Sequence, residues 1–409
     1  MSNSRNFIEK LLDGIQVEWE TLGKVLVRTK GTMITASQMR ALHKDGAPLK
    51  IFAGGKTVAF VNFEDIPEKN VNRKPSIIVK SRGIIEFEYY EKPFSHKNEM
   101  WSYHSNNKYI NIKYVYYFLK LNEPHFQNIG SRMQMPQIAT PDTDKFEIPI
   151  PYLENPEKSL KIQTEIVRIL DAFTELISEL ISELAARKKQ YNYYRDQLLS
   201  FKEGEVEWKT LGEVTEKIYS GGTPKTSISE YWDNGTIPWM SSGEVNLETI
   251  YKTEKYISES GLKNSSAKFV PKNSIVIALA GQGKTRGKVA RTRINLTTNQ
   301  SLASLIFDDK IINPDYVYHF LRTQYENLRQ ISSGGGTRGG LNLSMISSYK
   351  LPVPSLEKQL HIVSILDKFD ALTNSISDGL PHEIKLRQKQ YEYYRDLLLS
   401  FPKPEEVAI

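Results

Sequence analysis

The chain of 409 residues contains no cysteine, which excludes disulfides, thiolate metal sites and cysteine nucleophiles and leads us to expect a reducing, cytoplasmic setting. Long apolar runs are missing as well. No segment approaches the ~18 consecutive apolar residues of a membrane helix, and "MSNSRNFIEKLLDGIQVEW" at the N-terminus lacks the apolar core of an export signal, so neither a membrane partner nor secretion is expected. The histidines His43, His96, His104, His125, His319, His361 and His382 never fall into a His-x-x-x-His or His-Glu-x-x-His spacing, and no metal site is expected. Excess charge of one sign is scarce: 54 Lys and Arg face 48 Asp and Glu, a net +6 that permits a polyanionic partner without requiring one.

What the chain does have is itself, twice. "VEWETLG" (17–23) returns as "VEWKTLG" (206–212), "YVYYFLK" (114–120) as "YVYHFLR" (316–322), "IPIP" (148–151) as "LPVP" (351–354), "IVRILDAF" (166–173) as "IVSILDKF" (362–369), and "RKKQYNYYRDQLLSF" (187–201) as "RQKQYEYYRDLLLSF" (387–401). The order is the same and the offsets stay between 189 and 203, which marks a tandem duplication of half the chain, far longer than a solenoid repeat. Each half reads as a β-rich region with strand-like runs such as "SIIVK" and "SIVIALA", then a Pro-flanked hinge, then a long helix.

The first helix carries an apolar stripe through Ile162, Ile166, Ile169, Leu170, Phe173, Leu176, Ile177, Leu180, Ile181 and Leu184, at steps of three and four. Such a stripe needs a partner. The second helix supplies one through Ile362, Ile365, Leu366, Phe369 and Leu372, and two helices separated by a globular region pair antiparallel if the β-rich regions sit at opposite ends. The expected architecture is therefore a dumbbell with pseudo-twofold symmetry, of α/β (α+β) class. A helix of about 40 residues spans roughly 60 Å, longer than the ~34 Å of one DNA turn. The repeat offset grows from 196 at Ile166/Ile362 to 200 at Tyr191/Tyr391, placing four extra residues around "SDGLP", where Gly379 and Pro381 should break the second helix. In the first helix the same zone reads "TELISELISEL", a near-repeated tetrapeptide.

With its duplicated "KKQYxYYRDxLLSF"-like helix ends, "IPIP" hinges and tetrapeptide repeat, the chain resembles, over essentially its whole length, the DNA-specificity (S) subunits of type I restriction-modification systems. The resemblance implies target-recognition domain 1 at 1–150, a spacer helix at 151–203, target-recognition domain 2 at 204–352 and a second spacer helix at 353–409. Each domain would read one half of a bipartite, asymmetric site in double-stranded DNA, and the paired helices would set the gap. It further implies a chain that is not an enzyme and holds no cofactor. Two modification (methyltransferase) subunits with S-adenosylmethionine, and restriction (motor/nuclease) subunits with ATP and Mg, would complete the complex.

Two motifs point to catalysis instead. "IALAGQGKT" (277–285) fits a loose phosphate loop, yet "RGKVARTRINLTTNQ" follows it with β-formers where a helix should begin, and the first half has no counterpart, so a nucleotide hydrolase is disfavoured. "NPDY" (313–316) is similar to an adenine-holding methyltransferase motif, but its counterpart "NIKY" (111–114) makes a simpler reading sufficient: Asn111 and Asn313 cap helices, with Pro314 in the first turn.

For DNA contact in the second half we single out the Gly-rich, hydroxyl-rich loop with Thr223 and Lys225, and the basic run Gln282, Lys284, Arg286, Lys288, Arg291 and Arg293 with its alternating cations. Asn299 and Gln300 are added because they can pair with adenine, and Arg338 because it lies in a Gly-rich loop before the hinge. In the first half the corresponding choices are Lys56, Lys80, Arg82, His96, Lys97 and Asn98, with "FSHKNEM" aligned to "INLTTNQSL" and Phe94 and Trp101 read as core. Helix pairing and subunit docking are assigned to Ile166, Leu170, Phe173, Ile177, Tyr191, Tyr194, Ile362, Leu366, Tyr391 and Tyr394, since the tyrosines recur at helical steps suited to packing. An interaction scaffold, or a stand-alone DNA-binding protein, is the competing non-catalytic reading.

Overall fold

The repeated "VEW" and "IPIP" stretches are hydrogen-bonded to each other. Strand β1 (Val17–Thr21) pairs antiparallel with β9 (Glu147–Pro151), and β10 (Glu207–Thr210) pairs in the same way with β20 (Lys350–Val353), so that Trp19 lies opposite Pro149 and Trp208 opposite Pro352. A two-stranded ribbon tolerates these prolines because each strand has a free edge that needs no N–H. The computed structural model describes residues 14–131, 134–202, 204–281, 285–332, 340–375 and 378–401. They fall into two units, Met1–Ile181 with Glu383–Ile409, and Ser182–His382.

Between β1 and β9 run α1 (Leu22–Val25), β2 (Val27–Lys30), α2 (Ala36–Leu42), β3 (Leu49–Phe52), β4 (Val58–Val61), β5 (Ser76–Lys80), β6 (Glu86–Tyr90), β7 (Phe94–His96), β8 (Trp101–His104), α3 (Ile112–Leu121), α4 (Glu123–Gly130) and α5 (Thr140–Asp144). Their sheets are ordered β2-β8-β5-β6 and β4-β3-β7. After β9 comes the long helix α6 (Pro156–Leu198). Between β10 and β20 run α7 (Leu211–Val214), β11 (Lys217–Ser220), β12 (Ile237–Met240), β13 (Thr249–Ile250), β14 (Lys255–Ile257), α8 (Glu259–Lys263), β15 (Phe269–Val270), β16 (Ile275–Ala278), β17 (Val289–Thr292), β18 (Leu296–Thr298), β19 (Leu302–Ile306), α9 (Pro314–Thr323), α10 (Tyr325–Ile331) and α11 (Leu343–Ser347). Here the sheets are β11-β19-β16-β17-β13 and β14-β12-β18-β15. Without the short β13 and β15 the order repeats that of the first half. Helices α12 (Leu356–Asn374) and α13 (Leu380–Leu399) complete the chain.

In the first unit Ile77, Val79, Phe87 and Tyr103 of the larger sheet pack under Tyr114, Val115 and Phe118 of α3. Ile162, Ile166 and Leu170 of α6 join the same core, as do Leu398 and Leu399 of α13. The second unit repeats this with Ile275, Ile277 and Leu305 of the sheet, Tyr316 and Phe320 of α9, Ile362 and Leu366 of α12, and Tyr191 and Leu199 from the far end of α6 and just beyond it. Each unit thus contains helical segments from both halves of the sequence. Within the second unit the segments run antiparallel: Tyr194 stacks on Phe369, while farther along Lys358 lies 5.0 Å from the Phe201 ring centre.

Polar contacts tie each domain to its own helix, and they too are duplicated. Asn111 caps α3 by accepting from Lys113 N (3.0 Å) and Tyr114 N (3.4 Å), and its own N–H donates to the buried Gln163 Oε1 (2.9 Å). Asn313 caps α9 on Asp315 N (2.9 Å) and Tyr316 N (3.2 Å) and donates to the buried Gln359 Oε1 (2.8 Å). Both caps match the reading from sequence, and "NPDY" is a helix start. The break expected near "SDGLP" lies between Asn374 and Leu380, where Gly379 packs so tightly against the Ala371 carbonyl that a Cβ would overlap it.

Candidate nucleic-acid interface

In the second domain β11 runs out into Gly221 and Gly222. A Cβ at Gly221 would overlap the Thr298 carbonyl, and Gly222 N donates to that same carbonyl at 2.9 Å, so glycine is what lets the loop lie on the end of β18. Next in the chain, Asn299 N donates to Met240 O (3.1 Å), and the Asn299 side chain accepts from Ser301 N (3.1 Å). This closes a tight turn. The turn leaves Gln300 exposed, where its Oε1 accepts a hydrogen bond from Thr223 Oγ1 at 2.6 Å. Ser220 to Thr223, Ser266, Lys268 and Gln300 enclose a concavity of about 490 Å³.

The first domain has its concavity at the same register. β2 runs into Gly31, where a Cβ would overlap the Lys97 carbonyl, and Thr32 N donates to His96 O at 2.7 Å. Lys97 N donates to Phe52 O (2.9 Å), as Asn299 N does to Met240 O (3.1 Å), so Lys97 and Asn98 hold the positions of Asn299 and Gln300. The expected alignment of "FSHKNEM" with "INLTTNQSL" holds. A concavity of about 790 Å³ opens beside Gly31 and Thr32, with the exposed Lys30, Met33 and Lys69 on its wall.

Of the sequence-selected residues, Thr223 and Gln300 line the second concavity. Asn98, Thr223, Lys225 and Gln300 are exposed beside the two glycine junctions, and Lys97, half-buried, pairs with Glu99 at 2.7 Å. Lys56 is exposed on the β3–β4 loop and Arg82 after β5. Arg286 and Lys288 are half-buried, and Lys288 Nζ donates to Asn246 Oδ1 at 2.7 Å. Gln282, Lys284 and Arg338 lie outside the described residues. "IALAGQGKT" begins in β16, which pairs antiparallel with β17, Ile277 opposite Val289, so a hairpin stands where a phosphate loop requires a helix.

The structure corrects three assignments. His96 is fully buried: its Nδ1 donates to Lys97 O (3.1 Å) and its Nε2 accepts from Ser102 Oγ (3.1 Å), while burial pulls its pKa down and keeps the ring neutral. With both nitrogens engaged it cannot meet a phosphate. Lys80 is also buried, between Glu86 and Glu88 on the neighbouring strand, with the Glu88 contact at 2.8 Å. Burial alone would lower its pKa, but the bonds to Glu86 and Glu88 outweigh this and raise it, so a charged ammonium is held inside the sheet layer. Arg291 and Arg293 turn away from any basic face and pair with α9 and α12: Arg291 with Asp367 (2.6 Å) and Asp315 (3.1 Å), Arg293 with Asp315 (2.7 Å). Phe94 and Trp101 are buried as expected.

The Arg291 contacts belong to a larger network. Asp367 also accepts from His319 Nε2 (2.9 Å), and Asp370 pairs with Arg322 (2.8 Å). Burial pushes the Asp367 carboxyl up, but the bond from His319 and the nearby Arg291 guanidinium prevail and hold it at about 2. In the first unit the equivalent Asp171 accepts from Tyr117 Oη (2.5 Å) and Lys113 Nζ (2.8 Å). The tyrosines at the helix ends divide: Tyr191 is buried and Tyr194, Tyr391 and Tyr394 pack against neighbours, whereas Tyr193 and Tyr393 are 60% and 63% exposed at equivalent positions. Ile166, Leu170, Ile362 and Leu366 are buried, and Phe173 and Ile177 partly so.

Sequence reasoning passed over Met33, Lys30, Lys69 and Lys268. The signal for Met33 was its place two residues after Gly31, as Thr223 stands two after Gly221. No helix among the described residues is long and apolar enough to cross a membrane.

Comparison with known proteins agrees with this architecture. The family model described as Type I restriction modification DNA specificity domain matches twice, over residues 17–187 and 203–386. The specificity subunit of the type I restriction enzyme EcoR124I/EcoR124II of Escherichia coli is 42% identical over 98% of this chain and 99% of its own length. That of the EcoprrI enzyme, also from Escherichia coli, is 33% identical over 91% of this chain and 92% of its own. The crystal structure of a type I restriction-modification S subunit from M. genitalium has the same fold, with a TM-score of 0.66 at 18% identity over 96% of this chain and 98% of that one. The paired recognition domains, the duplicated helices and these matches together place the chain in the family of type I restriction-modification DNA specificity subunits.

Proposed function

We infer that each β-rich domain reads one half of a bipartite, asymmetric site in double-stranded DNA through the surface around its glycine junction, and that the chain acts without catalysis of its own. The observation that carries this reading is the recurrence of one concave junction at one register in both halves, floored by Gly31 or Gly221 and flanked by exposed cations. Phosphate contacts from Lys30, Lys56, Lys69, Arg82, Lys225 and Lys268 would position the duplex, and the turn residues would meet base edges. The helices would set the gap between half-sites. Their ends, with Tyr193 and Tyr393 exposed at equivalent positions, suit two copies of one partner, the adenine-modification subunit carrying S-adenosylmethionine. Restriction subunits with ATP and Mg would join that complex in the cytoplasm.

The test is to assemble the chain with a modification subunit and map methylated adenines. Two short fixed sequences separated by a fixed gap are expected. Methylation or binding without sequence preference would instead favour an interaction scaffold.

A further inference from the structure

Thr223 and Gln300 are joined by a contact that the first domain cannot make. The hydroxyl of Thr223 donates to Gln300 Oε1 at 2.6 Å across 77 residues of chain, and among the described residues it is the one hydrogen bond of either side chain. Both residues are exposed. A hydrogen bond in that setting adds little to stability, because water offers the same partners to each group. Its effect falls on freedom: glutamine is among the side chains that lose most rotamer entropy on being ordered, and here that ordering precedes any ligand.

The orientation is chemically specific. With Oε1 facing Thr223, both Nε2 hydrogens and one Oε1 lone pair remain for a ligand. A donor beside an acceptor is the complement of the N7 acceptor and N6 donor that adenine shows in the major groove. At the equivalent positions the first domain has Met33, 87% exposed, and Asn98, so no hydroxyl is present to hold the amide. The two domains therefore differ in base-reading chemistry at a position where their backbones agree.

We propose that Gln300 is a specificity-determining residue of the second domain that reads one adenine through its N6 and N7, and that Thr223 is the positioning residue that presents it. This rests on the reading of the glycine junction as DNA-facing.

The test uses the full chain assembled with its modification subunit and duplexes carrying the mapped site, with 7-deazaadenine replacing each adenine of the second half-site in turn. Loss of N7 at one position is expected to weaken binding by wild type about tenfold. Gln300→Ala should be insensitive to that replacement. Thr223→Val should lose most of the discrimination at that base while keeping its preference in the first half-site, and Thr223→Ser, which retains the hydroxyl, should restore it. Thermal melting of each variant separates unfolding from altered reading. If wild type reads a bipartite site but Gln300→Ala keeps every base preference, or all variants lose both half-sites equally, the assignment is overturned while DNA reading stands. A wild-type complex with no sequence preference would overturn both.

Discussion

Tyr194 lies over Phe369 with ring centroids 5.6 Å apart and planes inclined by 27°. In the other unit Tyr394 covers Phe173 at 5.3 Å and 24°. By the repeat, Phe369 corresponds to Phe173 and Tyr194 to Tyr394, so each pair joins a helix start from one half of the sequence to a helix end from the other. Phe369→Ala should cost about 2–3 kcal/mol, toward the low end for large-to-small changes because the ring is only partly buried. Of this, ~1 kcal/mol should appear as coupling to Tyr194 in a double-mutant cycle of urea unfolding. A coupling of zero would show that the stacked pair does not hold the segments together.

The ion network around Asp367 predicts a response to acid. Its carboxyl is held at about 2 in the folded chain, against about 3.9 when unfolded. A depressed carboxyl stabilises the fold above the unfolded value and loses that contribution as pH falls through the folded one. The difference in urea midpoint between wild type and Asp367→Asn should therefore be full at pH 7 and shrink between about pH 4 and 2. A difference that stays constant across that window would rule out the network as its source. Arg291→Leu, which strands several carboxylates, should destabilise by about 3 kcal/mol at neutral pH.

Gly221→Ala is expected to be harmful where most surface substitutions are not. Its Cβ would meet the Thr298 main-chain carbonyl, which cannot move without disturbing β18. The expected loss is about 2–3 kcal/mol, seen as a lower melting temperature of the second unit together with lost reading of the second half-site. Gly243→Ala meets only Ser241 Oγ at 3.8 Å and should melt like wild type.

Removing one "ISEL" unit, Ile177 to Leu180, shortens α6 by about 6 Å. Both half-site sequences should survive while the gap between them changes by one or two base pairs. Methylation mapping with an unchanged gap would mean that these helices do not set it.

Much of this was legible because the duplication shows itself wherever one side chain has one structural task. Asn111 and Asn313 cap and Ile166 and Ile362 face inward, each from local pattern, whereas the "IPIP" and "LPVP" stretches, which read as hinges, are strands whose partners lie at the other end of each domain. The residues misread are those whose partners arrive from elsewhere. "SIIVK" gives no sign that Lys80 will meet Glu86 and Glu88 across the sheet, and Arg291 looks like part of a basic stripe until Asp315 and Asp367, 24 and 76 residues later, fold onto it. Period-two alternation identifies which residues share a face of a strand, but not what covers that face. His96 stands beside Lys97 and Asn98 in "FSHKNEM", but all three residues of β7 are buried, and local sequence does not show that both faces of this short strand are covered.

The pairing of β1 with β9, and of β10 with β20, has a consequence for change over time. Each recognition domain enters and leaves through two adjacent strands, so the chain between Thr21 and Glu147, or between Thr210 and Lys350, behaves as a cassette held at its neck. Exchange of the segment at both neck strands would change the reading surface while the strand pairing keeps the register of the helix that follows.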